Sequence, residues 1–131
     1  MATREQVATL RWFRWEEFRH LELMDYQFLI LLDDIRFSYG SPMVLTSDAR
    51  TPEENASIPG SSPTSLHLQG KAIDIRYPPT TTAAWNLVRA IMAVAGDRSI
   101  ELELVYSKTD KHIHLGLLRD DQASRLVIAA E

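Results

Sequence analysis

Residues 65–76 read SLHLQGKAIDIR. His67 and Asp74 stand seven positions apart with Gly70 between them, and Asp74 is flanked by Ile73 and Ile75. Apolar and polar residues alternate from 71 to 77, which reads as a half-buried strand. Ile73, Ile75 and Tyr77 then share one face, and Ala72, Asp74 and Arg76 the other. A carboxylate beside a core is costly unless it is partnered. A metal ion is one candidate partner.

A second stretch raises the same question. The chain has four histidines, and two of them fall in KHIHLGL at 111–117. On a strand, His112 and His114 share one face while Ile113, Leu115 and Leu117 take the other. If the two strands pair in one sheet, Asp74 and the two histidines lie on its non-core face. His67, on the bend before Gly70, can fold back over that face. Histidine and aspartate together suit zinc, and three protein ligands with a fourth corner left for water are the pattern of a catalytic site. Two ligand sets are compatible with this spacing. His67, Asp74 and one of the two strand histidines can bind, or His112 and His114 can both bind with Asp74 placed behind His67. A lone strand histidine beside an aspartate is also often a simple hydrogen-bonded pair. His20, between Arg19 and Leu21, reads as structural.

The remaining chain supplies a frame. Its 131 residues suit a single domain over 1–131, with residues 1–10 read as a frayed lead-in. A short helix is expected over 15–21. The strongest helix signal covers 26–39, where Phe28, Leu31, Leu32, Ile35 and Tyr39 recur at helical spacing and Asp33, Asp34 and Arg36 lie off that line. Gly40-Ser41-Pro42 stops it. Residues 43–46 read as a short strand. TPEENASIPGSSP at 51–63 is a long loop with one helical turn at 53–56, and loops of that length are often functional. A capped helix is expected over 83–95, with Gly96 as its stop. Strands follow at 99–106 and 112–117, joined by a turn at 107–111. Residues 125–130 fit either a strand or a helical turn. Helices come first and strands mostly later, which makes the class α+β.

Composition excludes several functions. There are no cysteines, so neither disulfides nor thiolate metal sites are available. The formal charge of −4 argues against nucleic acid as a partner. The N-terminal residues are too charged for a signal-peptide core, and the longest apolar run, FLILL at 28–32, is too short to span a membrane. Synthesis in the cytoplasm is expected, with any action on a cell wall requiring another exit route. The oligomeric state is not legible. The aromatic residues Trp12, Phe13, Trp15 and Phe18 fit a cap on the core or an interface, and the core is the expectation.

Ser65, His67, Gly70, Ala72 and Asp74 together form S-x-H-x-x-G-x-A-x-D, which resembles the signature of the zinc D-Ala-D-Ala carboxypeptidase family. These are peptidoglycan metallopeptidases that share the hedgehog/DD-peptidase fold. The similarity runs from about residue 15 to 117. In TSDARTPEENA at 46–56, Arg50, Pro52 and Asn55 match the family's S-G-Y-R-[ST]-P-x-x-N loop, and H-x-H at 112–114 is similar to the subgroup that closes its site with two histidines. The resemblance implies helices packed on a small, mainly antiparallel sheet with one zinc ion per chain. It implies His67, Asp74 and His114 as ligands and His112 as the catalytic group that stabilises an oxyanion or shuttles a proton. Arg50 and Ser65 would bind substrate, a peptidoglycan stem peptide cleaved as a carboxypeptidase or an endopeptidase would. Two departures stand out. Asp48-Ala49 replaces the usual Gly-Tyr before the arginine. Lys111 stands where a related subgroup has a glutamate, which leaves Asp110 as a candidate base or as a surface residue of the turn. A small chain of this kind also fits phage-encoded wall lysis. The alternative function is a non-catalytic, zinc-stabilised binding or virion assembly module, which the Asp48-Ala49 change favours.

Overall fold

A computed structural model describes residues 2–107 and 111–128. Asp110 therefore lies outside the described residues. The elements are helix α1 (Arg4–Val7), α2 (Tyr26–Tyr39), strand β1 (Leu45–Ser47), α3 (Pro52–Ala56), β2 (Ala72–Arg76), α4 (Thr81–Arg98), β3 (Leu102–Ser107), β4 (His112–Leu117) and β5 (Arg125–Ile128). The strands form one sheet in the order β1-β2-β4-β3-β5. Every neighbouring pair is antiparallel except β3 with β5. The undecided segment near the C-terminus is thus a parallel edge strand, and the α+β class holds.

Apolar periodicity builds the core as expected. Phe28, Leu32 and Ile35 of α2, Leu87 and Ile91 of α4, and Ile73, Ile75, Ile113 and Leu115 of the sheet are all at most 1% exposed and join one cluster. Burying each such side chain contributes about 1.5–3 kcal/mol. Local chemistry sets the helix ends. Asp25 accepts the Phe28 N–H at 2.9 Å, and Gly40 closes α2 in the left-handed region at φ 77°. Thr80 accepts the Ala83 N–H at 3.0 Å to start α4.

Several elements differ from the reading of the sequence. Helix α4 continues through Gly96 to Arg98. A helical glycine costs only about 1 kcal/mol, and the chain turns instead at Ser99, φ 53°, where the Ile100 N–H donates to the Ala95 carbonyl at 2.9 Å. Residues 15–21 form no continuous helix but two 3-10 turns, Trp15–Glu17 and Leu21–Leu23. The Arg19 and His20 N–H groups between them donate to the Asp48 carboxylate rather than to a helical carbonyl. Asp33, expected off the buried stripe, is buried and accepts the N–H groups of Arg11, Trp12 and Phe13 at 2.8–3.1 Å. That contact ties the N-terminal segment onto α2. Within the expected lead-in, α1 is capped by Thr3, and Ala2 and Val7 are buried. Of the four N-terminal aromatics, Phe13 and Phe18 enter the core. Trp12 and Trp15 stay at the surface, Trp12 stacked on Phe37 and Trp15 beneath the Arg4 guanidinium. Among the described residues no helix is long and apolar enough to cross a membrane.

Candidate metal centre

The polar face of the sheet gathers the site. Asp74 of β2 and His114 of β4 are directly paired across the antiparallel ladder, so both side chains rise from the same face a few ångströms apart. His114 Nδ1 lies 3.0 Å from Asp74 Oδ1. His67 reaches the same oxygen from a 3-10 turn, Leu66–Gln69, with its Nε2 at 3.4 Å.

That turn is built for its position. Ser65 Oγ accepts the His67 N–H at 3.2 Å. Gly70 reverses the chain at φ 68°, and the Lys71 N–H donates to the Leu66 carbonyl at 3.0 Å. Glycine is required here for a second reason. A Cβ at position 70 would stand 2.0 Å from the Leu23 carbonyl oxygen and 2.8 Å from Met24 Cα. The turn packs directly onto the backbone that leads into α2, where Gly70's carbonyl accepts the Asp25 N–H at 3.0 Å.

Hydrogen bonds orient both rings. His67 is 3% exposed, and its Nδ1 donates to the Asp48 carbonyl at 2.7 Å. A carbonyl can only accept, so Nδ1 keeps its proton and Nε2, turned toward Asp74, is the nitrogen that can bind a metal. His114 Nε2 lies 2.8 Å from Glu103 Oε1 on β3. Burial works against charge on His114, but the hydrogen bond and negative charge of Asp74, reinforced by Glu103, outweigh it and raise its pKa. Burial likewise works to raise Asp74, yet the imidazoles of His114 and His67 hold its carboxyl well below the usual carboxylate range. Asp74 is therefore an anion at neutral pH, as a metal ligand must be.

The donor set fits a zinc ion. Ligand atoms of His67, Asp74 and His114 all lie within 4.8 Å of one another. Tetrahedral zinc with bonds of ~2.0–2.1 Å separates its ligand atoms by ~3.3 Å, close to the 3.4 Å and 3.0 Å found from Asp74 Oδ1 to the two rings. Two imidazoles and one carboxylate match zinc's preferences.

The other residues singled out from the sequence fall around this cluster. Arg50 stands at its edge. Its backbone N–H donates to the His67 carbonyl at 2.9 Å, Nη1 donates to Asn55 Oδ1 at 3.3 Å, and Nη2 is a loose 3.7 Å from Asp74 Oδ2. It also borders a cavity of about 240 Å³ shared with Ser47, His20, Glu54 and Ile58. Ser65 lies beneath the His67 turn. His112 lies two residues before His114 on the same face of β4, paired with Arg76 of β2 and Ser107 of β3.

Two contributors escaped the sequence. Glu103 alternates outward between Leu102 and Leu104, but nothing along the chain shows that β3 lies beside His114. Asp48 acts through its backbone carbonyl, a group every residue has. Its carboxylate is 4% exposed and is turned to the Arg19–His20 backbone. Oδ2 accepts the Arg19 N–H at 2.7 Å and the His20 N–H at 3.0 Å. The departure from Gly-Tyr thus has a structural use.

Comparison with known proteins agrees with this geometry. Residues 9–116 match the model of the Peptidase M15 family. Searches of curated proteins and of solved structures returned no match. The chain belongs to the Peptidase M15 family and is a metallopeptidase by that membership.

Proposed function

We propose that this M15 chain hydrolyses a peptide bond in the stem peptide of peptidoglycan, using one zinc ion held by His67, Asp74 and His114. The observation that carries the reading is the convergence of those three side chains with the His67 proton fixed away from the centre. When bound there, zinc supplies the Lewis acid that such hydrolysis needs.

The chain's own residues have separable tasks. Arg50 presents a planar fork beside the cavity, suited to a substrate carboxylate or carbonyl. Its long contact with Asp74 is one it can yield to substrate. Ser65 accepts one local hydrogen bond, which leaves its hydroxyl proton to donate to the same substrate group. His112, on the ligand face of β4, is placed to stabilise a developing oxyanion or to pass a proton to the leaving amine. Asp110 is a second candidate for the proton. Access to the wall through phage lysis or on a virion belongs to the same reading. The Asp48-Ala49 pair, once the feature favouring a non-catalytic module, has a use in holding residues 19 and 20.

Digestion of purified peptidoglycan with and without chelator, with products identified by mass, tests the proposal. Zinc-dependent release of a terminal residue marks a carboxypeptidase, and release of larger fragments an endopeptidase. A preparation with one zinc per chain that releases nothing would overturn it.

A further inference from the structure

Glu103 plays no part in the ligand set or in substrate binding, yet its carboxylate is committed on both oxygens. Oε1 lies 2.8 Å from His114 Nε2, and Oε2 lies 3.0 Å from the Arg125 guanidinium of β5. The order of exposure runs inward, from Arg125 at 60% through Glu103 at 23% to His114 at 17%. Glu103 does not face His114 directly across the ladder, because Val105 does. Its own cross-strand partner is Gly116. A Cβ there would stand 3.5 Å from His114 Nε2 and 3.7 Å from Glu103 Cβ, and 2.6 Å from Leu66 Cδ1. The first two are ordinary contacts, so glycine at 116 makes room for Leu66, and the carboxylate reaches the ring diagonally across the strand pair.

We propose that Glu103 is the positioning residue for the metal centre: it holds the proton of His114 on Nε2 and so presents Nδ1 to the ion. The inference rests on the zinc reading above and adds which nitrogen binds and why. A carboxylate paired with Arg125 can only accept, so the nitrogen facing it must donate. Asp74 also only accepts, so in the metal-free ring Nδ1 donates to it; an ion seated beside Asp74 and His67 would displace that proton and leave the Nε2 proton with Glu103. Carboxylates that grip a liganding imidazole in this way orient the ring and raise its basicity, and losing one weakens metal binding about 10–100-fold. Arg125 lies beyond the residues 9–116 matched by the family model. The edge strand β5 therefore contributes to the centre from outside the matched region.

The test uses the full chain with ¹⁵N-labelled histidine, loaded with ¹¹³Cd, and reads which ring nitrogen couples to the metal. The expected result is coupling at His114 Nδ1 with the proton kept on Nε2. Zinc affinity, measured by competition with a chromogenic chelator, should fall about 10–100-fold in Glu103→Ala. Glu103→Gln, whose amide oxygen can still accept from Nε2, should recover part of that loss. Coupling at Nε2 in the unmodified chain overturns the proposal, as does an affinity of Glu103→Ala within threefold of the original. If Glu103→Ala fails to fold, the coupling measurement decides alone. A chain that takes up neither zinc nor cadmium overturns the metal reading itself, and this assignment with it. One that binds zinc through the wrong nitrogen overturns only this assignment.

Discussion

Gly70→Ala separates two costs that the structure places at one residue. Gly70 has φ 68°, and an L-residue held there loses about 1–2 kcal/mol. The added Cβ would also stand 2.0 Å from the Leu23 carbonyl oxygen and 2.8 Å from the Asp25 nitrogen and Met24 Cα, all of them backbone atoms. None can swing aside as a side-chain tip would, so overpacking adds about 1–3 kcal/mol. The sum is about 2–5 kcal/mol, a large share of the roughly 5–15 kcal/mol that stabilises a domain of this kind. Gly40 supplies the control. Its φ is 77°, but nothing lies within 4 Å of a Cβ built there, so Gly40→Ala carries the conformational cost alone. Urea unfolding of the metal-free variants reads both. With an m-value of about 1.5 kcal/mol/M, the midpoint of Gly70→Ala should fall by about 1.3–3.3 M and that of Gly40→Ala by about 0.7–1.3 M. Zinc affinity should drop in Gly70→Ala only, because the same turn carries His67. Equal midpoints for the two variants would refute the argument from close approach.

Three further outcomes are expected. His112→Ala should keep zinc near one per chain while kcat falls about 10²–10³-fold; metal content lowered along with activity would instead make His112 a ligand. Asp48→Ala removes the acceptor of the Arg19 and His20 N–H groups and should cost about 1–3 kcal/mol in urea unfolding. It should leave zinc affinity within a few-fold, since the group that orients His67 is the backbone carbonyl; a hundredfold loss would contradict this. The His20–Glu54 pair should make stability depend on pH. The hydrogen bond to Glu54 raises His20 above its ordinary 6.5 despite some burial, so its contribution is complete below 6.5 and lost as pH rises through the raised pKa. Glu54, bound to the Thr51 N–H and to His20, is lowered from 4.5 to about 2, and its contribution is present above 4.5 and lost as pH falls toward 2. The gap in Tm between the unmodified chain and His20→Gln should therefore be widest from about pH 4.5 to 6.5, and a gap that stays flat up to pH 9 would show that the pair is not coupled.

What could be read from the chain and what could not divides along a physical line. The stripe of α2 and the alternation of β2 and β4 were legible because burial is imposed residue by residue along each element. Phe28, Leu32 and Ile35, Ile73 and Ile75, and Ile113 and Leu115 all face the core as their spacing demands. Asp74 and His114 fell on the polar faces of the same strands, and the motif around Gly70 placed His67 near them. Most misreadings share one cause. Asp33, Asp48 and residues 15–21 depend on backbone N–H or carbonyl groups distant in sequence, which no side-chain pattern announces. Gly96 is a separate case: local propensity favours a stop there, but the helix is capped at Ser99, where the Ile100 N–H reaches back to the Ala95 carbonyl.

The same division runs through the candidate metal centre. Its donors are set by local spacing and can be recognised from ten residues. The protons on those donors are set by the fold, through the Asp48 carbonyl at one ring and the Glu103 carboxylate at the other. A chain could keep every fixed position of S-x-H-x-x-G-x-A-x-D, place an apolar residue at 103, and still bring two imidazoles and a carboxylate together. His114 would then have a carboxylate partner only at Nδ1, the nitrogen that faces Asp74. Once an ion had taken Nδ1, the proton on Nε2 would have no carboxylate to hold it, at a cost in affinity that no inspection of the motif could reveal. In this chain the candidate site is therefore judged by Glu103, opposite Gly116, as well as by the motif.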